Sequence, residues 1–259
     1  MNLQVWWPVL VAAYLPAIGW WLWSVHKKDA SIIDAYWGPG FLLITSTAAL
    51  VSPMGHRPRQ LLLVIALGCW ALRLGLHLLR RNRAHGEDRR YRAMRTSIGP
   101  KFWWVSLFSV FLLQATLQIL IAWPLLAAAR APGPPLGAWD VLGTCCFAFG
   151  WGLEALADRQ LAEFLADPAR RVRVMDRGLW RYSRHPNYFG DALLWWGFGA
   201  YGLAVGEGWS LVGPAVMTFL LLKVSGVSLL EQTITERRPD YEAYRRRTSA
   251  FIPWPPRAP

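Results

Sequence analysis

A chain of 259 residues that is 54% hydrophobic, holds 17 tryptophans and carries a formal net charge of +12 leaves few classes open. A soluble domain of this length would break its apolar stretches with charge more often. The basic residues form no continuous basic helix or recognition motif, which argues against nucleic acid as a partner.

Crossing the hydrocarbon layer takes about 20 mainly apolar residues, and seven stretches approach that length. The first, 5–25, opens with MNLQVWW. It has neither a positive n-region nor a small-residue cleavage site, so it is expected to be a retained helix. Lys27 and Lys28 follow it, and then SIIDAYWGPG leads into the second stretch, 36–53. Asp34 and Tyr36 at that entrance supply an acid and a phenol able to donate a proton or polarise a carbonyl. Alternatively Asp34 is an N-cap, its side-chain oxygen taking up free amides of the helix.

The third stretch, 60–80, contains Arg73 in LGCWALRLGLHLLRR. Arg73 either snorkels to the headgroups or points inward to a carboxylate or phosphate; His77, on the same face, reads as packing. Segment 80–101 (RRNRAHGEDRRYRAMR and its flanks) holds eight Lys and Arg and reads as a solvated, headgroup-facing loop. The fourth stretch, 102–129, ends at APGPPLG, a short turn on the opposite side.

The fifth stretch, 137–165, ends in EALADRQLAEF. Glu154 and Asp158 lie four apart on one helical face, with Arg159 and Glu163 on an adjacent one. A carboxylate inside a span costs roughly 2.5–3.5 kcal/mol, so such groups usually face a cavity and carry function; otherwise the helix has already left the membrane and they are solvated. The sixth stretch, 189–206, is introduced by RYSRHPNYFGD. Pro186 at a helix start loses no hydrogen bond, because the first turn's amides have no internal partner. Those amides and the positive helix end suit an anionic ligand, and Asn187 and Asp191, one turn apart, would face it together. Arg184 and His185 are equally open to a structural role. After the seventh stretch, 209–230, come Glu231, Tyr241, Tyr244 and the run Arg245 to Arg247. A short amphipathic helix and a Pro-rich end there suggest a tail folded back over the same face, either as a lid over a nucleotide or as a headgroup-binding helix.

Charge placement fixes an expected topology. Seven spans put 23 of the 28 Lys and Arg on one side and Arg57, Arg59 and Arg130 on the other. The positive-inside rule then places the N-terminus outside and the C-terminus in the cytoplasm. The expected fold is therefore all-α: one polytopic membrane domain over 1–259, with a substrate side over about 1–130 and a second half over about 137–259. No repeat of fixed period is present. GxGxxG after a strand, GxxxxGK[ST], HExxH and GxSxG are all missing. Cys69, Cys145 and Cys146 fall in apolar stretches, and the five histidines are scattered at 26, 56, 77, 85 and 185. Neither a disulfide framework nor a metal site is expected.

LWRYSRHPNYFGD, an apolar span and then PDYEAYRRRTSAFIPWPP resemble the membrane steroid 5α-reductase superfamily, in particular a bacterial branch of seven-helix proteins. The stretch is similar also to sterol C14-reductases, through RHPNY-GD, and to isoprenylcysteine carboxyl methyltransferases, through RHP-x-Y. The likeness is strongest over about 150–259, weaker over 31–124 (DAYWG, GEDRRYRAMR, FWW) and absent from the first span. It implies NADPH as cofactor. By position, Asn187 and Asp191 match an Asn and an acid that contact NADPH, Asp158 matches a cofactor Asp one helix earlier, and Glu154 stands where the family has Asn. Arg173 and Arg177 in VRVMDRGLW approximate an arginine-bearing cofactor segment. Arg181, His185, Tyr188, Glu231, Tyr241, Tyr244 and Arg247 complete the expected cofactor set. Arg73 matches an Arg near substrate and nicotinamide. The Gln-Glu pair that polarises the steroid 3-oxo group in the family is missing here, and Asp34 or Tyr36 stands in for it.

Three functions follow. The first is NADPH-dependent reduction of the carbon–carbon double bond of a 3-oxo-Δ4-steroid or similar apolar enone, by a monomer in a bacterial cytoplasmic membrane. The substrate would enter from the bilayer and the cofactor from the cytoplasm. Arginine's planar fork suits the cofactor's phosphates. The second is methyl transfer from S-adenosylmethionine, whose sulfonium calls for carboxylates and aromatic faces. The third is a lipid-binding or transport protein without catalysis, disfavoured because the polar residues gather on one face rather than along a midplane pathway.

Overall fold

The computed structural model describes residues 3–52, 55–170, 172–224, 226–227, 231, 234, 238 and 240–257. The described residues are overwhelmingly helical. Eleven α-helices are named here: α1 Leu3–Lys27, α2 Ile32–Leu50, α3 Arg57–His85, α4 Arg89–Ile98, α5 Phe102–Ser106, α6 Leu113–Ile121, α7 Trp123–Arg130, α8 Ala138–Ala166, α9 Pro186–Ala204, α10 Val212–Phe219 and α11 Tyr241–Arg247. π-helical turns at Leu107–Leu112 and Leu220–Val224 follow α5 and α10. The one β-type contact among the described residues is an isolated parallel bridge between Ser183 and Ser249.

Among the described residues four helical stretches are long and apolar enough to cross a membrane: Trp6–Lys27, Arg57–Arg80, Arg89–Ile121 and Ala138–Ala166. Their apolar side chains largely face outward, with Trp7, Leu15, Leu61, Ile65, Leu72 and Phe149 each more than 60% exposed. Such surface requires an apolar surrounding. The chain is therefore a membrane protein. The stretches expected at 36–53 and 189–206 form helices of 19 residues each, α2 and α9, whose Gly, Trp and Tyr dilute their apolarity. The last apolar helix, Gly208–Val224, is shorter, and part of the expected 209–230 span lies outside the described residues.

Segment 80–101 differs from the loop expected of it. Helix α3 runs on to His85, Asp88 caps α4 by accepting from the Arg90 amide at 3.0 Å, and α4 continues into the fourth span. The arginines hid an amphipathic helix whose buried face is Tyr91.

The chain divides into two compact units, residues 1–137 with 202–210 and residues 138–201 with 211–259. In the first, α2 packs on α1 and most extensively on α3. A Cβ at Gly38 would lie 2.9 Å from the Ala71 Cα, so these backbones meet where glycine permits it. Three buried polar side chains donate to backbone carbonyls of neighbouring segments. The Gln118 amide donates to the Trp37 carbonyl at 2.9 Å, and that of Gln60 to the Ala129 carbonyl at 2.7 Å. Arg59, fully buried, donates to the Pro134 carbonyl at 3.1 Å and so ties down the 131–137 turn.

In the second unit α8 and α9 cross on paired glycines. A Cβ on Gly150 would stand 2.6 Å from the Gly190 carbonyl oxygen, and one on Gly197 2.6 Å from that of Gly143. The seven-residue spacing within each helix keeps both glycines on one face, so the backbones touch along two turns. That contact brings Glu154 and Asp158 level with Asn187 and Asp191.

Candidate functional site

In the C-terminal unit the RHPNYFGD stretch forms the start of α9. A 3₁₀ turn, Gly178–Arg181, docks on α8 just before it: the Trp180 indole donates to the Ala157 carbonyl at 3.1 Å and the Leu179 amide to Gln160 Oε1 at 3.0 Å. Gly178 has a φ of +57°, and a Cβ there would strike Gln160, so the turn requires glycine.

The tail then folds back onto this turn. Ser183 Oγ donates to the Phe251 carbonyl at 2.8 Å, the Arg184 amide to the Ser249 carbonyl at 2.8 Å, and the Trp254 amide to the Tyr182 carbonyl at 2.9 Å. Tyr244, buried on α11, donates its hydroxyl to the Trp180 carbonyl. Burial, with Tyr241 beside it, raises the Tyr244 phenol well above its ordinary range, so it stays a donor. Its hydroxyl is thereby committed to holding the tail, a different task from the cofactor contact expected of it.

Glu231 is the hub of this unit. One oxygen, Oε1, lies 3.1 Å from His185 Nε2, 3.1 Å from the Tyr241 hydroxyl and 3.0 Å from Arg184 Nε. The arginine contact is ionic and lacks the alignment of a hydrogen bond. Burial alone would raise the Glu231 carboxyl, but the His185 hydrogen bond and the Arg184 charge outweigh it, and the group sits below its ordinary value. Burial first, and the Glu231 charge second, push the Tyr241 phenol up. The His185 ring stacks on Tyr188, centroids 5.6 Å apart and nearly parallel.

Of the other expected cofactor residues, Glu154 and Asp191 are buried, at 4% and 9% exposure. Asp158 Oδ1 accepts from Asn187 Nδ2 at 3.0 Å, bridging α8 and α9. Asn187 Oδ1 is shielded from solvent and meets no donor among the described residues. A buried acceptor left unmade costs about 1–3 kcal/mol, so this oxygen is able to accept from an N–H brought by a ligand. Arg173, Arg177 and Arg181 face solvent, and Arg247 pairs with Asp176.

Tyr36, Asp34 and Arg73 belong to the N-terminal unit. Asp34 sits in the first turn of α2, three residues past its N-cap, Ser31. Its oxygens accept from the Tyr91 hydroxyl at 2.6 Å and from Arg90 at 2.9 Å. Gln114 donates to the same Tyr91 oxygen at 3.2 Å. Asp34 is thus an acceptor in an interhelical network rather than an exposed acid. Tyr36 packs on Trp20, ring centroids 5.7 Å apart, and its hydroxyl is shielded without a partner among the described residues. Arg73 has Nε and one terminal nitrogen shielded from solvent, which turns it inward rather than snorkelling. Glycine contacts of α3 with Gly38 and Ala35 put it level with the start of α2.

Tyr91, Arg90 and Gln114 were not among the residues singled out in the sequence. Their one signal is the density of GEDRRY against DAYWG, 57 residues upstream, and no single sequence reveals such a pairing. No group of His, Cys, Asp and Glu suited to a metal occurs among the described residues.

Residues 20–248 match the model of DUF1295, a family described as proteins of unknown function. The chain is 28% identical over 264 aligned residues to an uncharacterised protein of the fission yeast Schizosaccharomyces pombe, an alignment that covers 90% of this chain and 75% of that one. No solved structure matches it. A family match that takes in nearly the whole chain, from the end of α1 into the docked tail, makes this protein a member of the DUF1295 family.

Proposed function

We propose that this protein is an NADPH-dependent reductase of an apolar enone, such as a 3-oxo-Δ4-steroid. The observation that carries the reading is the Asp158–Asn187 bridge with its unfilled acceptor. Asn187 Oδ1 wants an N–H donor, and a nicotinamide carboxamide or an adenine amine is one. Asp158, Asn187 and Asp191 would orient the cofactor, and the solvent-facing Arg173, Arg177 and Arg181 would neutralise its phosphates. When bound, NADPH supplies a hydride to the enone β-carbon, moving the π electrons to the carbonyl oxygen as an enolate. Of the two N-terminal groups expected to polarise a carbonyl, the Tyr36 hydroxyl keeps an uncommitted proton, since Asp34 is engaged as an acceptor. A proton taken up at the α-carbon completes the reduction. Donors aimed at developing negative charge usually supply the largest share of catalysis. A seven-span arrangement with the tail in the cytoplasm, as the 23-to-3 charge bias suggests, would give the cofactor access from that side.

One observation favours a second reading: the carboxylates of Glu154, Asp158 and Asp191 would also suit the sulfonium of S-adenosylmethionine. Purified protein in detergent separates the two. With progesterone supplied, NADPH oxidation should depend on the enone and fall about 100-fold in Asn187→Ala, with the melting temperature little changed. Tight binding of S-adenosylmethionine, without any effect of NADPH on melting, would overturn the reductase.

A further inference from the structure

The folded-back tail creates a second polar feature, separate from the α8–α9 carboxylates. A cleft of about 370 Å³ opens between the start of the RHPNYFGD stretch and the tail, lined by Arg184, Arg245, Arg246, Arg247, Arg257 and Trp254. Thr248 and Ser249 form part of its wall, and among the described residues no carboxylate does. The acids that serve these arginines stand outside it: Glu231 pairs with Arg184, Asp176 with Arg247, and Glu242 with Arg245 and Arg246 at 3.5 and 3.6 Å. Backbone holds the cleft in shape: Arg184 donates a guanidinium hydrogen to the Arg245 carbonyl at 3.1 Å, and the Arg257 amide donates to the Arg247 carbonyl at 2.9 Å. Five arginines line this one concavity, a composition that suits an oxyanion with several acceptor oxygens, above all a phosphate ester.

What surrounds the cleft selects among phosphates. Trp254 is 68% exposed and Ile252 62%, and Tyr182, which accepts the Trp254 amide, is 43% exposed. A pocket for a water-borne anion has no need of a bare aromatic and aliphatic rim. Tryptophan and tyrosine next to arginines are the composition of a membrane–water interface, and basic clusters there attract anionic headgroups.

We infer that this cleft binds the phosphate of an anionic phospholipid, with Trp254 and Ile252 seated among its acyl chains. The tail is then held to the membrane surface by lipid, while its inner face, through Tyr241 and Tyr244, holds the start of α9. Lipid composition would in this way bear on how well the neighbouring site is formed.

The test uses the full chain purified in a neutral detergent. Dioleoyl-phosphatidylglycerol, dioleoyl-phosphatidylcholine, inorganic phosphate and NADP⁺ are added separately, and binding is read by native mass spectrometry and by thermal shift. Phosphatidylglycerol is expected to be retained over phosphatidylcholine. Arg246→Ala with Arg257→Ala should weaken it by about fivefold per arginine removed. Both positions are exposed, so folding should survive, and Arg80→Ala with Arg89→Ala, which removes equal charge elsewhere, should leave binding within about twofold. Trp254→Ser should weaken phosphatidylglycerol and leave inorganic phosphate unaffected. Equal retention of phosphatidylcholine, or an unchanged affinity in the Arg246/Arg257 variant, overturns the proposal. So does NADP⁺ that displaces phosphatidylglycerol and is weakened in parallel by that variant, since the cleft would then belong to the nucleotide.

Discussion

Asp34 in the N-terminal unit and Glu231 in the C-terminal unit are almost equally sheltered, at 14% and 17% side-chain exposure, yet they do different things. Asp34 takes both of its named donors, Arg90 and Tyr91, from neighbouring positions on one helix, and so fastens α4 to the start of α2. Glu231 gathers donors from two separate segments, Arg184 and His185 before α9 and Tyr241 on α11. It therefore couples the tail to the place where the expected cofactor residues lie. Among the polar atoms that each unit shelters without a described hydrogen-bond partner, two are of opposite use: the Tyr36 phenol in the first and the Asn187 amide oxygen in the second. Burial alone does not distinguish a clamp from a hub; the origin of the donors does.

Breaking the scaffold beneath the hub should have the largest effect. Gly150→Leu drives a side chain into the Gly190 carbonyl and the Leu194 backbone, each 2.6 Å from the first added atom, and backbone cannot step aside as a side chain does. A loss of about 3 kcal/mol or more is expected, at the upper end of overpacking, seen as failure to recover a monodisperse protein in detergent. Gly68→Ala on α3 is the contrast. Its added Cβ meets only Leu42 Cδ1, at 4.0 Å, and the variant should gain about 0.5 kcal/mol from helix preference.

Glu231→Ala comes next. It leaves His185, Arg184 and Tyr241 without their common acceptor, and about 2 kcal/mol of the tail's docking should go with it. The expected readout is selective: the segment after α10 becomes open to limited proteolysis while the N-terminal unit keeps its protection. Protection of the two units lost together would erase the distinction between clamp and hub.

The same hub sets a pH dependence. The folded carboxyl of Glu231 lies below its ordinary value, so its stabilising contribution is complete above the unfolded value of about 4.3 and is lost as pH falls through the depressed folded one. Tail docking should not lose this contribution between pH 7 and pH 5 and should weaken below about pH 4. Glu231→Gln should abolish that low-pH loss. An unaltered acid transition in this variant would mean that other carboxyls govern the tail.

How much of this was legible depended on the range of the signal. Helices α1, α2, α3, α8 and α9 follow from apolar length, because a membrane helix is a local property of some twenty residues. Segment 80–101 escapes a hydropathy window because the window averages over an amphipathic turn: three of the ten residues of α4, Arg89, Arg92 and Thr96, are Arg or Thr facing out, while Tyr91 faces in. The Asp158–Asn187 bridge is within reach of the sequence, since RHPNYFGD and EALAD both carry expected cofactor residues, and the glycines at 150 and 190 permit the crossing. Tyr91 at Asp34 and the arginine cleft were out of reach. Each depends on residues tens of positions apart, and the cleft exists only once the tail has turned back.

Tyr91→Phe should have a smaller effect, about 1 kcal/mol. The ring stays in its apolar cluster with Phe102 and Phe111, and Asp34 keeps Arg90 as a partner. If Asp34 is a clamp, enone-dependent NADPH oxidation should change no more than the melting temperature would lead one to expect. Tyr36→Phe should act the other way, leaving stability unchanged or slightly improved, since its hydroxyl is unmet, and lowering turnover. Turnover that collapses in Tyr91→Phe and persists in Tyr36→Phe would exchange the two roles and move the N-terminal site onto the Asp34 network.

Arg159→Ala should do least, although it lies beside Asp158 in the same EALADRQLAEF turn. The Arg159–Glu163 pair is 76% and 62% exposed, and long exposed side chains give up in entropy most of what their charges gain. No measurable change in stability is expected, and none in NADPH oxidation, whereas Asp158→Ala removes the acceptor that orients Asn187 and should lower oxidation nearly as far as Asn187→Ala. The two neighbours point to different faces of α8, one to water and one to α9, so the pair tests whether function follows the glycine crossing or merely the charge of the turn. Equal losses from both would favour the charge.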